Sequence, residues 1–137
     1  TAGKPSFGGR FEYAFDAGHV GLSSTYSLAT EALMADLDAK AGFGDFTAFF
    51  EGNYGSADDV DTTGFLVKGN YALTSDFSVT ARYDMLTVGD VASSSITGAA
   101  LLTLAEGLSG CVEVRMDTGD AAMADMTTAA FEIIGAF

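Results

Sequence analysis

The sequence predicts an all-β fold, an antiparallel up-and-down transmembrane β-barrel of about 8–10 strands. Apolar and polar residues alternate in segment after segment, and the segments are separated by short breaks rich in Gly, Asp and Ser. No apolar run approaches the roughly 18 residues that a membrane helix needs. The 137 residues are expected to form a single barrel domain, residues 1–137, because a second domain would need more chain.

The first four segments set the pattern, because each alternates apolar and polar side chains with the period of a strand. Their apolar positions are, in order, Phe11, Tyr13 and Phe15; Val20, Leu22, Tyr26 and Leu28; Leu33, Leu37 and Phe43; and Phe46, Ala48, Phe50 and Tyr54. A turn is predicted at residues 16–19 and a tight connection at Gly44-Asp45. Phe49 departs from the alternation of the fourth segment.

Five further segments follow an acidic loop that we predict for residues 55–63. Their apolar positions are, in order, Phe65, Val67, Tyr71 and Leu73; Phe77, Val79, Ala81, Tyr83 and Met85; Ile96, Leu102 and Leu104; Val112, Val114 and Met116; and Phe131, Ile133, Gly135 and Phe137. The first two of these five, joined at Ser75-Asp76, form the clearest hairpin of the chain.

Residues 30–41 are also rich in helix formers, with Thr30 placed to begin a helix and Gly42 to end it. We favour a strand, because only a strand keeps Asp36, Asp38 and Lys40 on one polar face. Nine segments are an odd number, whereas single-chain bacterial barrels have an even number of strands. Either residues 30–41 are helical, which leaves eight strands, or a short strand near the N-terminus makes ten; closure by several chains stays open.

The apolar positions carry no charge, whereas most bases share the polar positions with acids. A soluble β-sandwich gives this pattern when its apolar face forms a core, and a membrane barrel gives it when that face meets lipid. Aromatic residues near the segment ends favour the barrel, as do acids placed beside bases, because charges inside a narrow barrel must neutralise one another. The charges expected inside the barrel are Arg10, Glu12, Lys40, Glu51, Lys68, Arg82, Asp84, Glu113, Arg115 and Glu132.

The chain ends with apolar or small residues at every second position, among them Phe131, Ile133 and Phe137. This ending resembles the β-signal of bacterial outer-membrane proteins, in which a terminal aromatic residue on the last strand is recognised by the assembly machinery. Residues 39–47 and 69–77 also resemble the strand pairs of porins. The resemblance implies an exported protein of the Gram-negative envelope, held in the outer-membrane lipid bilayer, with a signal peptide absent from this chain.

The expected function follows from size and charge. Barrels of about eight strands have interiors filled by side chains, so a wide porin built from one copy is not expected. We expect an integral outer-membrane protein with a structural, adhesive or narrow-pore role; whether it forms a homo-oligomer is open. The net charge of −13 argues against nucleic acid as a partner. The alternative is a soluble secreted β-sandwich subunit that assembles into a fibre or coat.

A second alternative is a lipid-modifying outer-membrane enzyme. His19, the single histidine, lies in a predicted turn and could join Ser23 or Ser24 and an acid in a catalytic triad. A solvent-exposed turn histidine is the simpler interpretation, and no G-x-S-x-G nucleophile motif is present. We therefore expect no enzymatic activity and no cofactor.

Metal binding has one weak candidate in the sequence. Asp59, Asp61 and Thr63 resemble the start of a calcium loop, with oxygen ligands at alternate positions before a glycine. The twelfth position of such a loop is Asn70 here and not Glu. We expect a solvated acidic loop rather than a metal site, and we expect the single Cys111 to be an unreactive packing residue.

Overall fold

The computed structural model describes residues 4–57, 59–119 and 125–135. These residues form nine β-strands: β1 Ser6–Phe15, β2 Gly18–Ser27, β3 Ala32–Phe43, β4 Phe46–Ala57, β5 Val60–Ala72, β6 Phe77–Val88, β7 Val91–Ala105, β8 Leu108–Gly119 and β9 Met126–Gly135. Within the same ranges, no helix has the length and apolar character to cross a membrane.

The strands form one antiparallel sheet in the order β1 to β9, so each strand pairs with the strands that precede and follow it in the chain. Connections are short: two residues join β3 to β4 at Gly44-Asp45, and Gly44 has a positive φ of 60°. Such a backbone conformation suits glycine, which has no Cβ to clash. The described residues place β1 and β9 at the two edges of the sheet. This up-and-down topology confirms the predicted fold class.

The apolar positions lie together on one side of the sheet, which we call the apolar face. Its side chains are exposed, as Phe11 and Phe131 show with 68% exposure each. Among the described residues, no hydrophobic side chain is buried and no second sheet packs on the first. The soluble β-sandwich alternative is therefore wrong for this part of the chain, because a sandwich needs two sheets whose apolar faces bury each other.

The structure decides one local alternative and corrects two local expectations. Residues 32–43 form β3, so the helix alternative for residues 30–41 is wrong and the strand prediction is confirmed. The segment 55–63 is not a long loop, because β4 continues to Ala57 and β5 begins at Val60. The predicted turn at residues 16–19 is shorter, since β2 already begins at Gly18 and includes His19.

The strand count is also settled for the described ranges. The odd count of nine is correct for them, so both alternatives that give an even count, a helix at residues 30–41 and a further strand near the N-terminus, are wrong for these residues. β1 and β9 run in the same direction, because an even number of antiparallel steps separates them. In the described residues each of these two strands contacts a single neighbour, β2 for β1 and β8 for β9.

Candidate pore lining

The polar positions of all nine strands lie on the side of the sheet opposite the apolar face, and we call this side the charged face. Strand pairing places all ten charges predicted from the sequence on it, from Arg10 on β1 to Glu132 on β9. Asp36, Asp38 and Asp117 also lie on this face. That these charges line a barrel interior stays a prediction, but the register brings them together on one surface.

One row of directly paired residues across the charged face is basic. It crosses the nine strands in register and contains four bases, one histidine and no acid. We call it the basic row; its members are Ala14, His19, Lys40, Phe49, Lys68, Arg82, Thr97, Arg115 and Thr128.

The next row of the charged face, two residues along each strand, is acidic. It contains five acids and no base, and we call it the acidic row. Its members are Glu12, Gly21, Asp38, Glu51, Leu66, Asp84, Ser95, Asp117 and Met126. Two opposite lines of charge therefore run side by side across the sheet, about 7 Å apart along the strands.

Gly21 allows an ion pair to form across β2. The guanidinium of Arg10 on β1 donates from Nη1 to Asp38 Oδ2 on β3 over 2.8 Å, and it donates from Nη2 to Glu12 Oε2 over 3.0 Å. His19 Nε2 lies 3.3 Å from Asp38 Oδ1. A Cβ on Gly21 would overlap the Arg10 guanidinium and the Asp38 carboxylate, so these two side-chain ends would have to move if a larger residue stood here. The cluster connects β1, β2 and β3 through side chains as well as through the backbone.

A second group of contacts joins β6 to β7, and a separate ion pair lies on β8. Arg82 Nε donates to Asp84 Oδ2 over 2.8 Å, and Ser95 Oγ donates to Asp84 Oδ1 over 2.8 Å. On β8, Arg115 Nε donates to Asp117 Oδ1 over 2.7 Å. Each arginine thus pairs with the acid two residues ahead on its own strand, which joins the basic row to the acidic row.

The charged face is the concave side of the sheet. Arg10 and Asp38 meet across an intervening strand, and Asp38, Ser95 and Thr97 are only 8%, 3% and 5% exposed. Side chains converge on a concave surface and diverge on a convex one, so convergence and burial identify the inner side. A cavity of about 750 Å³ lies along it, lined in part by Ser23, Asp36, Glu51 and Asn53.

The residues considered for an enzyme are not brought together. His19 and Ser23 are four positions apart on β2, a separation of roughly 13 Å in a strand. Ser24 occupies the apolar phase, opposite to His19. The acid beside His19 is Asp38, which also accepts hydrogen bonds from Arg10. Neither of the two serines named from the sequence therefore lies close enough to the His19 imidazole to act as a nucleophile.

The residues considered for calcium lie at the β4–β5 connection. Asp59 is in the turn with a positive φ of 62°, while Asp61 and Thr63 lie on β5. Asp61 Oδ1 accepts a hydrogen bond of 2.9 Å from the Tyr54 hydroxyl. Over the described residues, no group of three or more His, Cys, Asp or Glu side chains is arranged to hold a metal. Cys111 is half-buried on β8 and is a free thiol.

The predicted assembly signal lies on β9 as far as it is described. Phe131 and Ile133 are exposed on the apolar face. Phe137, the terminal residue of the predicted signal, lies outside the described residues.

The two rows themselves were not predicted. Period-two alternation gives the face on which a residue lies, but not which residues of the neighbouring strands it pairs with. The row positions follow only from the register between strands, and register depends on where each turn begins and ends. Phe49 was noted as an exception to the alternation of β4; the structure shows that it belongs to the charged face, between Lys40 and Lys68.

Comparison with known proteins supports the fold. No protein-family model matches the sequence, and no curated protein matches it. Among solved structures, a protein described as "KdgM porin" is similar to this chain, with a TM-score of 0.57 and 13% sequence identity. The likeness covers 93% of this chain and 74% of the porin chain. At this identity the likeness shows the fold alone, and that fold is the antiparallel β-barrel of a porin.

Proposed function

We propose that this protein is a porin-like channel of the bacterial outer membrane, with the charged face as its channel wall. The observation that carries the proposal is the division of the sheet into two surfaces. Large apolar side chains are exposed over the whole apolar face, and the charged rows lie on the other side. Water would penalise an exposed apolar surface of this extent, whereas lipid would not.

The charged face suits contact with water and small solutes. Its ion pairs are half-exposed: the side chain of Arg10 is 45% exposed and that of Arg115 is 42% exposed. A fully packed barrel interior would bury these groups, and open space of the size found beside Asp36 and Glu51 would be absent. The structure therefore favours a pore over an interior filled with side chains.

A pore is also favoured over an adhesive role. Adhesion needs an extended surface beyond the membrane, which small barrels build from long loops. Three of the connections at one end of the sheet, those after β2, β4 and β6, span only residues 28–31, 58–59 and 89–90, and the fourth, after β8, lies mostly outside the described residues. These short connections offer little surface to a protein partner. The partners that we propose are the lipid bilayer and, during insertion, the outer-membrane assembly machinery acting on β9.

The proposal is tested by reconstitution. We expect the detergent-folded protein to migrate differently on a gel before and after boiling, because membrane barrels often remain folded in SDS until heated. We also expect stepwise ionic conductance when the protein is added to a planar lipid bilayer. A gel shift without conductance would contradict the channel and retain the barrel. Full solubility in buffer without detergent would contradict both.

Glu51→Gln should change the ion selectivity of the channel. Glu51 is a half-buried member of the acidic row, and rings of charged side chains set the selectivity of many pores. Removing this carboxylate should lower the cation-to-anion permeability ratio by about twofold, measured as a shift of the reversal potential in a salt gradient. Glu106→Gln, in the β7–β8 turn, removes the same charge outside the strands and should leave the ratio unchanged. Equal shifts in the two variants would contradict the placement of Glu51 at the channel wall.

A further inference from the structure

Phe49 is the aromatic residue in the middle of the basic row. Its direct cross-strand partners on the charged face are Lys40 on β3 and Lys68 on β5. Facing residues in such pairs have Cβ atoms about 4.5–5.5 Å apart, so the ring and both lysine side chains share one surface. Phe49 is half-buried, while both lysines are exposed. The basic row continues beyond them with His19 on one side and Arg82 on the other.

The two lysines differ from the arginines of the charged face. Arg10, Arg82 and Arg115 each form an ion pair with an aspartate at 2.7–2.8 Å. In the described part of the chain, no carboxylate lies within 4.0 Å of the ammonium nitrogen of Lys40 or Lys68. The two lysines therefore lack a carboxylate partner, whereas each of these arginines is paired with an aspartate.

The acids nearest to this site stand in the acidic row. Asp38 and Glu51 are two positions away along β3 and β4, and Leu66 occupies the matching position on β5. Asp38 accepts hydrogen bonds from Arg10, which also contacts Glu12, so the charge of Asp38 is compensated in part. Glu51 has no ion-pair partner among the described residues and opposes an anion most directly. On β5 the matching residue, Leu66, is uncharged and does not repel an anion from Lys68.

We propose that Lys40, Phe49 and Lys68 form a binding site for organic anions that carry a flat apolar face, with aromatic carboxylates as the best fit. A ring would stack on Phe49, and its carboxylate would accept hydrogen bonds from the two ammonium groups. An inorganic anion gains nothing from the phenyl ring, and a neutral aromatic compound gains nothing from the lysines. The proposal rests on the charged face being the channel wall, which is where a passing solute would meet the site.

The site is tested by fluorine NMR with 4-fluorobenzoate and the protein folded in zwitterionic detergent micelles. We expect line broadening that saturates, with weaker binding of trifluoroacetate, which lacks the ring, and of 4-fluorobenzyl alcohol, which lacks the charge. The double variant Lys40→Gln/Lys68→Gln should raise the Kd of 4-fluorobenzoate about tenfold. Phe49→Leu, which keeps an apolar side chain and removes the ring, should raise it about three- to tenfold.

Lys4→Gln is the matched control, because Lys4 precedes β1 and lies outside the basic row. It should leave the Kd of 4-fluorobenzoate unchanged. The site is overturned if 4-fluorobenzoate binds no more tightly than trifluoroacetate, or if the row variants bind it as the Lys4→Gln protein does. Bilayer conductance of the same preparation separates the two proposals. Conductance without binding overturns the site alone, and binding without conductance overturns the channel alone.

Discussion

Val67→Arg is expected to lower the yield of protein that folds into lipid vesicles, whereas Leu66→Arg, one residue earlier on β5, is expected to fold with the yield of the unsubstituted protein. Val67 lies on the apolar face in the middle of β5, and its side chain is 46% exposed. An arginine facing lipid near the bilayer midplane costs about 2–4 kcal/mol. This cost is a large fraction of the net stability of a small domain.

Leu66→Arg places the same side chain on the opposite face. Leu66 stands in the acidic row between Glu51 and Asp84, its direct cross-strand partners. An arginine there gains two carboxylate neighbours in a solvated setting. The two variants therefore introduce the same charge at adjacent positions and differ in the face of the sheet that carries it. Folding is measured as the heat-dependent gel shift after dilution from urea into vesicles. Equal folding yields would contradict the assignment of the apolar face to lipid.

The sequence predicts much of this fold, because alternation is a local property. The face of each strand residue follows from its neighbours in the chain, and for that reason Asp36, Asp38 and Lys40 were placed correctly on one side of β3 despite a helix-like composition. Helix propensity is a weak signal when the polar pattern has period two. The odd number of strands was likewise visible in the sequence, although we expected a different count.

The arrangement of charges could not be predicted in the same way. Whether Lys40 stands beside Phe49 or beside Glu51 depends on the register of β3 against β4, and a shift of two residues preserves every face while it mixes the two rows. The length of the β4–β5 turn could not be predicted from the sequence either. The acidic composition of residues 55–63 indicated a loop, but extended backbone continues through most of it. The composition of an acidic strand end is similar to that of a loop, because the residues of both are exposed to solvent.

Gly21→Val is expected to lower the temperature at which the gel shift is lost by about 2–5 °C. A Cβ at this position would overlap the guanidinium of Arg10 and lie 2.5 Å from Asp38 Oδ2. Valine would therefore separate the ion pair that joins β1 to β3 across β2. Valine suits a strand better than glycine does, so backbone preference alone would predict the opposite sign.

Gly98→Val is the matched control, because Gly98 lies on β7 and a Cβ there would have no atom within 4 Å. It should leave the transition temperature unchanged or raise it slightly. In an Arg10→Ala background the effect of Gly21→Val should shrink, since one of the two groups that a valine would overlap is then absent and no ion pair is left to separate. If Gly21→Val costs as much without Arg10 as with it, the glycine is required by the backbone of β2 or by Asp38, and not by the Arg10–Asp38 ion pair.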